Sequence, residues 1–235
     1  MDPEQVFAAL EATWPADSTE TVGPWLVRAG AGGGKRVSCA STPDEDADLQ
    51  IMEDAQASLG QPALAMVRNA QPRLTDRLRA AGYSCIDPTC LYAAPAAALA
   101  QTPPPVTCFV TEWPPLEIVC EIWQAGGIGP ARRAVMERAK GPKTVLMGRI
   151  NDRPGAAAFL SKHDKIVMIH ALEVSQERRR AGLARHMMGV AAKWALDQGA
   201  DTLALAVTQG NMPANALYTS LNMSVVGNYA YWQKQ

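Results

Sequence analysis

Residues 176–188, QERRRAGLARHMM, set three consecutive arginines directly before an Ala-Gly-Leu-Ala run that opens an apolar-periodic helix. The first-turn amides of a helix have no intrahelical acceptor, and they lie at the positive end of the helix dipole. A glycine there lets the backbone approach a ligand, and arginines add charge-assisted hydrogen bonds to phosphate oxygens. The segment therefore predicts an anion site that suits a diphosphate. The alternatives are a nucleic-acid patch and a solvated helix start.

The charge balance of the whole chain bears on these alternatives. The 235 residues carry 22 Lys and Arg against 23 Asp and Glu, a net charge of -1. Without a global excess of positive charge a protein does not hold a polyanion by counterion release, so we expect no nucleic-acid partner. The arginine cluster is a local feature.

The cysteines and the hydropathy pattern bear on the compartment. The sequence starts with acidic residues rather than the basic and apolar stretches of a signal peptide, and no segment approaches membrane-spanning length. The five cysteines lack paired metal-ligand spacing; they are Cys39, Cys85, Cys90, Cys108 and Cys120. We expect these cysteines to be buried, reduced thiols in a reducing compartment. We therefore expect a cytoplasmic protein with no membrane partner and no metal.

The elements around the arginine segment follow from periodicity. Residues 166–174, IVMIHALEV, predict an apolar strand that ends in the loop before it, and the helix after it has an apolar stripe at Leu183, Met187, Ala191 and Ala195. Gly199 suits the C-terminal cap of this helix. The neighbouring predictions are a strand at 106–113, helices at 114–126 and 129–141, antiparallel strands at 143–151 and 155–174, a buried strand at 201–207, a helix at 211–222 and closing strands at 224–234.

A composition shift at residues 93–105, AAPAAALAQTPPP, predicts a linker, because three successive prolines fix φ and remove backbone donors. Its PAAALA part stays open as a short helix. We place a domain boundary near residue 104, which divides residues 1–103 from residues 104–235.

The first half also alternates strands and helices. Residues 24–41, PWLVRAGAGGGKRVSCAS, predict two strands joined by a glycine-rich hairpin turn. A phosphate-binding P-loop is disfavoured because Ala29 stands at its first glycine position and Arg36 follows Lys35. Helices are expected at 46–60 and 72–82, and strands at 63–67 and 84–93. This order indicates an α/β unit.

Two ordered patterns resemble the GNAT superfamily of acetyl-CoA-dependent N-acetyltransferases. Arg179, Gly182 and Ala184 match its Q/R-x-x-G-x-G/A signature in a strand-loop-helix context. The stretch NMPANALYTSLNM resembles the second signature, with matches at Asn211, Ala214, Leu217 and Tyr218. The resemblance covers roughly residues 105–235. It implies a GNAT fold, an α/β fold with a mixed α+β sheet.

The same resemblance implies a site for acetyl-CoA. The strand that ends at Val174 would separate from the next strand and leave a slot for pantetheine, lined by backbone groups of Leu172, Glu173 and Val174. The pyrophosphate would be held by amides of Arg179, Arg180, Ala181, Gly182, Leu183 and Ala184. Asn211 would contact the pantetheine arm, and the Tyr218 hydroxyl would lie near the thioester sulfur. The family's Gly-Phe pair is replaced by Asn222 and Met223, and Asn tolerates the left-handed conformation that a helix end often needs.

Tyr218 and His170 are the candidate catalytic residues. A phenol can protonate the departing thiolate, which would make Tyr218 the general acid. The string His-Ala-Leu-x-Val resembles serotonin N-acetyltransferase, where a histidine at this place belongs to the proton relay, and an imidazole titrates at about 6.5. Strand alternation predicts that His170 shares a face with Leu172 and that Glu173 points to the other face. The alternative is a histidine that is hydrogen-bonded within the sheet.

The acceptor site is expected near the first helices and last strands of the second half, at Trp113, Glu117, Glu121, Trp123, Tyr229 and Tyr231. Acidic and aromatic groups would suit a cationic amine. Glu117 and Glu121, four residues apart, also fit a solvated helix face, which is the favoured interpretation.

The first half resembles the degenerate N-terminal unit beside some bacterial GNAT domains, which would make the chain a tandem GNAT-like arrangement. It would shape the acceptor pocket or support a homodimer. The prediction is an N-acetyltransferase that moves the acetyl group of acetyl-CoA directly to an unidentified amine. The alternative is a non-catalytic acyl-CoA-binding sensor or interaction module.

Overall fold

The computed structural model describes residues 2–68, 70–100 and 107–234. Its helices are α1 (Pro3–Thr13), α2 (Lys35–Ser38), α3 (Leu49–Ser58), α4 (Pro72–Ala80), α5 (Ala96–Leu99), α6 (Glu117–Ala125), α7 (Pro130–Arg138), α8 (Leu183–Asp197) and α9 (Met212–Ser220). Its strands are β1 (Ser18–Val22), β2 (Trp25–Ala29), β3 (Leu64–Arg68), β4 (Tyr83–Pro95), β5 (Cys108–Thr111), β6 (Lys143–Ile150), β7 (Arg153–His163), β8 (Ile166–Val174), β9 (Thr202–Thr208) and β10 (Ser224–Lys234). A single 3-10 turn, Gln176–Arg178, precedes α8.

Eight of the strands form one mixed sheet in the order β3-β10-β4-β9-β8-β7-β6-β5. β8 and β9 run parallel, and the other neighbours are antiparallel. β1 and β2 pair separately as a hairpin. The predicted α/β fold with a mixed sheet is therefore confirmed.

β4 lies between β9 and β10, so strands from both sides of the predicted boundary belong to one sheet. Residues 93–95, assigned to a linker from their composition, are the end of β4, where Pro95 pairs with Thr202. The next residues form the short helix α5, one of the two possibilities left open for that stretch. The boundary near residue 104 and its three prolines fall outside the described residues. The division into two domains stays a prediction.

The glycine-rich segment after β2 leads into a helix before the chain returns to β2, where Ser41 makes an isolated antiparallel bridge with Leu26. Residues 30–34 form a loop that leads into the one-turn helix α2, so the predicted hairpin is wrong. The hairpin partner of β2 is instead β1, which precedes it. The loop packs closely under α7, because a Cβ on Gly33 would lie 2.5 Å from Cγ2 of Val135. Tertiary packing thus outweighs the β preference of Val37, whereas Ala40 and Ser41 beyond the helix do form β-bridges.

The sheet is covered on both faces. α5, α8 and α9 pack on one face, and α1, α6 and α7 pack on the other. The predicted stripe of α8 is buried against the sheet, with Leu183, Met187, Ala191 and Ala195 at most 2% exposed. Burying one Leu or Met side chain contributes about 1.5–3 kcal/mol, so this stripe holds the start of α8 firmly in place. Gly199 ends the helix with φ of +71°, as expected of a C-terminal cap.

Within the described ranges, no helix combines the length and the apolar character needed to cross a bilayer.

Candidate active site

β8 and β9 run side by side and then separate near the middle of the sheet. Their parallel pairing extends only as far as Ile169 and Leu205. β8 nevertheless continues to Val174 beside β7, and β9 continues to Thr208 beside β4. The facing edges of the two strands therefore lack their usual partners beyond this point, and the predicted separation is confirmed.

A bulge in β8 interrupts the alternation of its side chains. Phe159 of β7 pairs with His170, but Ala157 pairs with Glu173, so two residues of β8 stand opposite one residue of β7. One of the two, Ala171, has φ of +51°. An extra residue of this kind shifts every later side chain to the other face of the sheet.

The consequence is a different set of neighbours for the predicted site residues of β8. His170 lies on the face covered by α1, whereas Leu172 packs with the core under α8. Glu173 lies on the α6 face, where its side chain passes over Gly126. The predictions that His170 shares a face with Leu172 and that Glu173 points away from it are both wrong, because the bulge reverses the alternation between them.

The loop before α8 has the backbone of an anion-binding turn. Arg180 and Gly182 both have positive φ, +65° and +76°, and Gly182 is the N-cap of α8 without any side-chain cap. The first backbone hydrogen bond of the helix runs from the His186 N–H to the Gly182 carbonyl. In the part of the chain that is described, the amides of residues 183–185 therefore have no acceptor. Left-handed turns that aim successive amides outward make anion-binding concavities.

The arginines of this segment hold the loop as well as lending charge. The Arg179 Nε donates to the Val174 carbonyl at 3.0 Å, and its Nη2 pairs with Glu173 at 3.2 Å. Arg178 lies across Gly155, where an added Cβ would stand 2.5 Å from the Arg178 Cγ. Arg179 thus ties the end of β8 to the loop, and backbone amides rather than this guanidinium are left to meet a ligand.

Tyr218 of α9 is placed beside the slot. Its side chain is buried, with its ring centroid 5.5 Å from that of Tyr92. Among the described residues no group bonds its hydroxyl, whereas the Tyr92 hydroxyl donates to Asn215 at 3.2 Å. Burial, with a smaller contribution from Tyr92, raises the pKa of Tyr218 to about 12. The phenol therefore keeps its proton at neutral pH.

Asn211 begins α9 and lines the same slot. Its Oδ1 accepts from the Ala214 N–H at 3.3 Å, so its side chain caps the helix. At the other end of α9, Asn222 has φ of +56°, which confirms the expected left-handed residue. Met223 is 6% exposed and packs in the core, where it occupies the position of the family's Phe.

His170 is buried, and both of its ring nitrogens are engaged. Nε2 lies 2.8 Å from the Thr13 hydroxyl, which itself donates to the Ala9 carbonyl at 2.6 Å. Nδ1 lies 3.4 Å from Nη1 of Arg36, which can only donate. These partners assign the neutral tautomer with its proton on Nε2. Burial first, and the Arg36 charge second, lower the pKa of His170 well below its ordinary value.

One cavity of about 340 Å³ joins the slot to a second group of residues. On the slot side it is lined by Leu172, Leu205, Val207, Thr208, Asn211 and Tyr218. On the other side it is lined by Trp14, Lys35, Arg36, Arg132, His170, Tyr229 and Tyr231. The structure therefore brings Tyr218, His170, Leu172 and Asn211 to a single cavity.

The predicted acceptor residues divide into two groups. Tyr229 and Tyr231 line the cavity, but Glu117 and Glu121 are exposed on α6 and do not. Trp123 is fully buried, and its indole N–H donates to the Ala171 carbonyl at 2.9 Å. Trp113 donates to Glu137 at 2.8 Å. The favoured interpretation of Glu117 and Glu121 as a solvated helix face is therefore confirmed, and this wall of the cavity is not acidic.

Basic residues that the sequence analysis did not assign to the site occupy that wall. Arg36 contacts the hydroxyls of Tyr229 and Tyr231 and reaches His170, so it stands at the centre of this end of the cavity. Burial alone would lower the pKa of Arg36, but the two tyrosines more than offset this and raise it above its usual value. The signal in the sequence was the glycine run before Lys35 and Arg36, which fails as a P-loop but does enter the site.

A second cavity of about 510 Å³ lies on the other side of Trp14 and Arg36. It is lined by Arg28, Arg138 and Lys140, among others. Glu11 pairs with Arg28 at 2.8 Å, and Asp17 pairs with Arg138 at 3.6 Å.

Comparisons with known proteins agree with this geometry. Residues 108–223 match the profile of the Acetyltransferase (GNAT) family. This part of the chain is a GNAT acetyltransferase domain, and it contains both signatures described above.

Relatives extend the likeness over the whole chain. The chain is 27% identical over 242 residues to an uncharacterized N-acetyltransferase, YobR, of Bacillus subtilis (strain 168), with 98% of each protein covered. A GCN5-related N-acetyltransferase from Kribbella flavida has a similar structure, with a TM-score of 0.73 at 17% identity over 100% of this chain and 95% of that one. A tandem GNAT protein from the clavulanic acid biosynthesis pathway has a TM-score of 0.59 at 12% identity, over 77% of this chain and 66% of that one. The structural neighbours share the GNAT fold.

Proposed function

We propose that this protein is an acetyl-CoA-dependent N-acetyltransferase that transfers the acetyl group directly to an amine. The observation that carries the proposal is the single cavity in which the separated edges of β8 and β9 meet the Tyr218 side chain. The amide-rich start of α8 follows β8 immediately. This arrangement suits a long thioester with a diphosphate at one end and a reacting carbonyl at the other.

The binding residues follow from the separated strands and the loop. The free amides at the start of α8, with Gly182 at the turn, would hold the pyrophosphate. The edge of β8 near Leu172 and Val174 that no longer pairs with β9 would bond the pantetheine, and Asn211 would contact it from α9. The side chain of Arg179 contributes by fixing the loop, through its bonds to Val174 and Glu173.

Acetyl transfer forms a C–N bond and breaks the C–S bond, so one proton leaves the amine and one reaches the sulfur. Tyr218 is the proposed donor to the sulfur, because its pKa of about 12 keeps the phenol protonated and its hydroxyl has no other partner among the described residues. Backbone N–H groups of β8 beyond Ile169 would stabilise the charge on the carbonyl oxygen.

The amine proton can leave by either of two routes, to His170, which the sequence made the candidate base, or to an ordered water molecule. The contacts of His170 favour the second route. Its Nδ1 lone pair faces the Arg36 guanidinium, and a proton there would add a second positive charge to a buried site. We therefore propose that solvent receives the proton and that His170 positions Arg36.

Thiol release from acetyl-CoA with a broad amine panel tests the proposal. Turnover with at least one amine, together with an acetylated amine detected by mass spectrometry, is the expected result. Tight binding of acetyl-CoA without turnover on any amine or protein lysine would instead favour the acyl-CoA sensor. The reducing cytoplasm is the proposed compartment, and all five cysteines are unpaired. The homodimer stays a prediction.

A further inference from the structure

The end of the cavity away from the slot carries excess positive charge. Lys35, Arg36 and Arg132 line it, and Asp87 is the one carboxylate among the described residues that does so. Asp87 pairs with Lys35 at 2.9 Å, so its charge is already matched. Arg36 and Arg132 have no carboxylate within ion-pair distance in the described ranges. Two positive charges are therefore left at this end.

Arg36 is the deeper of the two. Its Nε is buried and has no hydrogen-bond partner among the described residues. Its position is held by the hydroxyls of Tyr229 and Tyr231 and by His170 Nδ1, and its guanidinium lies 5.9 Å from the centre of the Trp14 ring. None of these neighbours is a carboxylate. A half-buried guanidinium without a carboxylate partner is stabilised by a bound anion.

The loop before Arg36 lets a ligand come close to the backbone. Gly33 and Gly34 line the cavity, and Gly34 has φ of +98°. Arg132 of α7 lies over this loop, with its Nε 3.6 Å from the position of a Cβ on Gly34. Arg132, from a distant part of the sequence, thus reaches the glycine that lies two residues before Arg36, and both arginines line the same cavity.

We propose that the amine acceptor carries a carboxylate, which binds between Arg36 and Arg132 while the amine faces the slot. The proposal rests on the proposed function and names the acceptor class of that same site. A planar carboxylate suits the fork of donors on an arginine. A cavity of about 340 Å³ that also receives the end of the pantetheine has room for a small acid of the amino-acid type. A cationic acceptor without a carboxylate, one of the alternatives left open by the sequence, would meet like charges here.

The direct test is binding to the protein loaded with coenzyme A, measured by calorimetry. Each probe is a matched set of a free amino acid, its carboxamide and the amine that lacks the carboxyl group. At least one amino acid is expected to bind 10-fold or more tightly than both of its partners, with a preference that weakens as salt is raised. Equal binding within every set, or tighter binding of the amines, would overturn the proposal.

Charge-removing variants locate the carboxylate. Arg132→Gln is expected to weaken binding of the amino acid about 5-fold and leave its carboxamide unchanged. Arg36→Gln is expected to remove the preference, and the melting temperature of the variant, measured alongside, shows whether it folds. Arg133→Gln is the matched control, since Arg133 neighbours Arg132 on α7 but does not line the cavity. Loss of binding in Arg133→Gln equal to that in Arg132→Gln would contradict the proposal.

A fourth variant separates the two cavities, because Arg36 lines both. Lys140 lines the second cavity alone. Lys140→Gln is expected to bind the amino acid as the unchanged protein does. Weaker binding in Lys140→Gln with normal binding in Arg132→Gln would place the anion in the second cavity and overturn the proposal.

Transfer kinetics distinguish this proposal from the proposed function. Suppose that neutral or cationic amines support thiol release at a kcat/KM equal to that of the amino acids. The N-acetyltransferase activity would then be supported, and the proposal of a carboxylate-bearing acceptor would be contradicted. Tight, Arg132-dependent binding of an amino acid without thiol release would support the carboxylate-binding site and contradict the proposed transferase activity.

Discussion

The loop before α8 and the Arg36 end of the cavity both present positive charge, but they do so in different ways. The loop uses backbone amides from consecutive residues and a glycine with φ of +76°. The Arg36 end uses side chains from α2 and α7, far apart in sequence. A backbone site depends on one local conformation, whereas a side-chain site depends on the packing of several elements. Tyr218 lies between the two ends. Its substitution therefore tests the chemical step, whereas substitutions at either end test binding.

The largest expected effect is at this junction. Tyr218→Phe removes the phenolic proton but keeps the ring packed against Tyr92, and kcat should fall by about 10²- to 10⁴-fold with little change in the affinity for acetyl-CoA. Because the pKa of Tyr218 is about 12, the rate of the unchanged enzyme should not decline between pH 8 and pH 10 through loss of this proton. Tyr92→Phe is the matched control. Undiminished turnover in Tyr218→Phe would remove Tyr218 from the role of general acid.

The next effect tests the backbone end. Gly182→Glu puts a side chain on a left-handed residue and a negative charge beside the free amides, so acetyl-CoA affinity should fall by about 100-fold or more. Gly199→Glu is the matched control, because Gly199 has a similar φ of +71° at the other end of α8. Both variants should lose about 1–2 kcal/mol of stability, but only the first should lose binding. Equal affinities in the two variants would show that the start of α8 does not hold the cofactor.

A pH titration of stability tests the side-chain end. The folded-state pKa of His170 lies well below the unfolded value of about 6.5, so the unfolded chain binds the proton first as the pH falls. His170 therefore stabilises the fold above pH 6.5, and the free energy of unfolding should drop by up to about 1.4 kcal/mol per pH unit below it. Denaturant unfolding between pH 5 and pH 8 measures this slope. His170→Gln should flatten the slope, and His163→Gln, at a half-exposed turn, should keep it. The same slope in both variants would mean that His170 is not held neutral.

The smallest effect comes from single arginines of the loop. Arg178→Ala should weaken acetyl-CoA binding only about 2- to 5-fold, because one half-buried charge at the surface contributes little beside several amides. A loss of acetyl-CoA affinity as large as that in Gly182→Glu would mean that the segment binds through its side-chain charge. The loop and the Arg36 end would then bind anions in the same way.

The elements that the sequence predicted well are those defined within one stretch of chain. The α8 stripe, its glycine cap, the strands around the loop and the left-handed Asn222 all follow from local spacing. The left-handed conformation of Gly182 has the same local origin, since a left-handed residue at a helix start favours glycine in any context.

The predictions that failed depend on contacts between distant residues. Ala171 adopts φ of +51° although alanine carries no signal for it, and that one residue moves Leu172 away from His170. The GGGKR segment became a loop and a helix because it packs under α7, and β4 entered the sheet between β9 and β10. No pattern within these segments encodes such neighbours.

The sequence by itself therefore determined the place and conformation of the predicted phosphate-binding loop, because the residues that form it are consecutive and act through their own backbone. Only the tertiary structure decided that Arg36, Arg132 and His170 share a cavity and that His170 is held neutral. Burial and charge at that end arise when α1, α2 and α7 pack against the sheet, and they do not exist in any one segment alone.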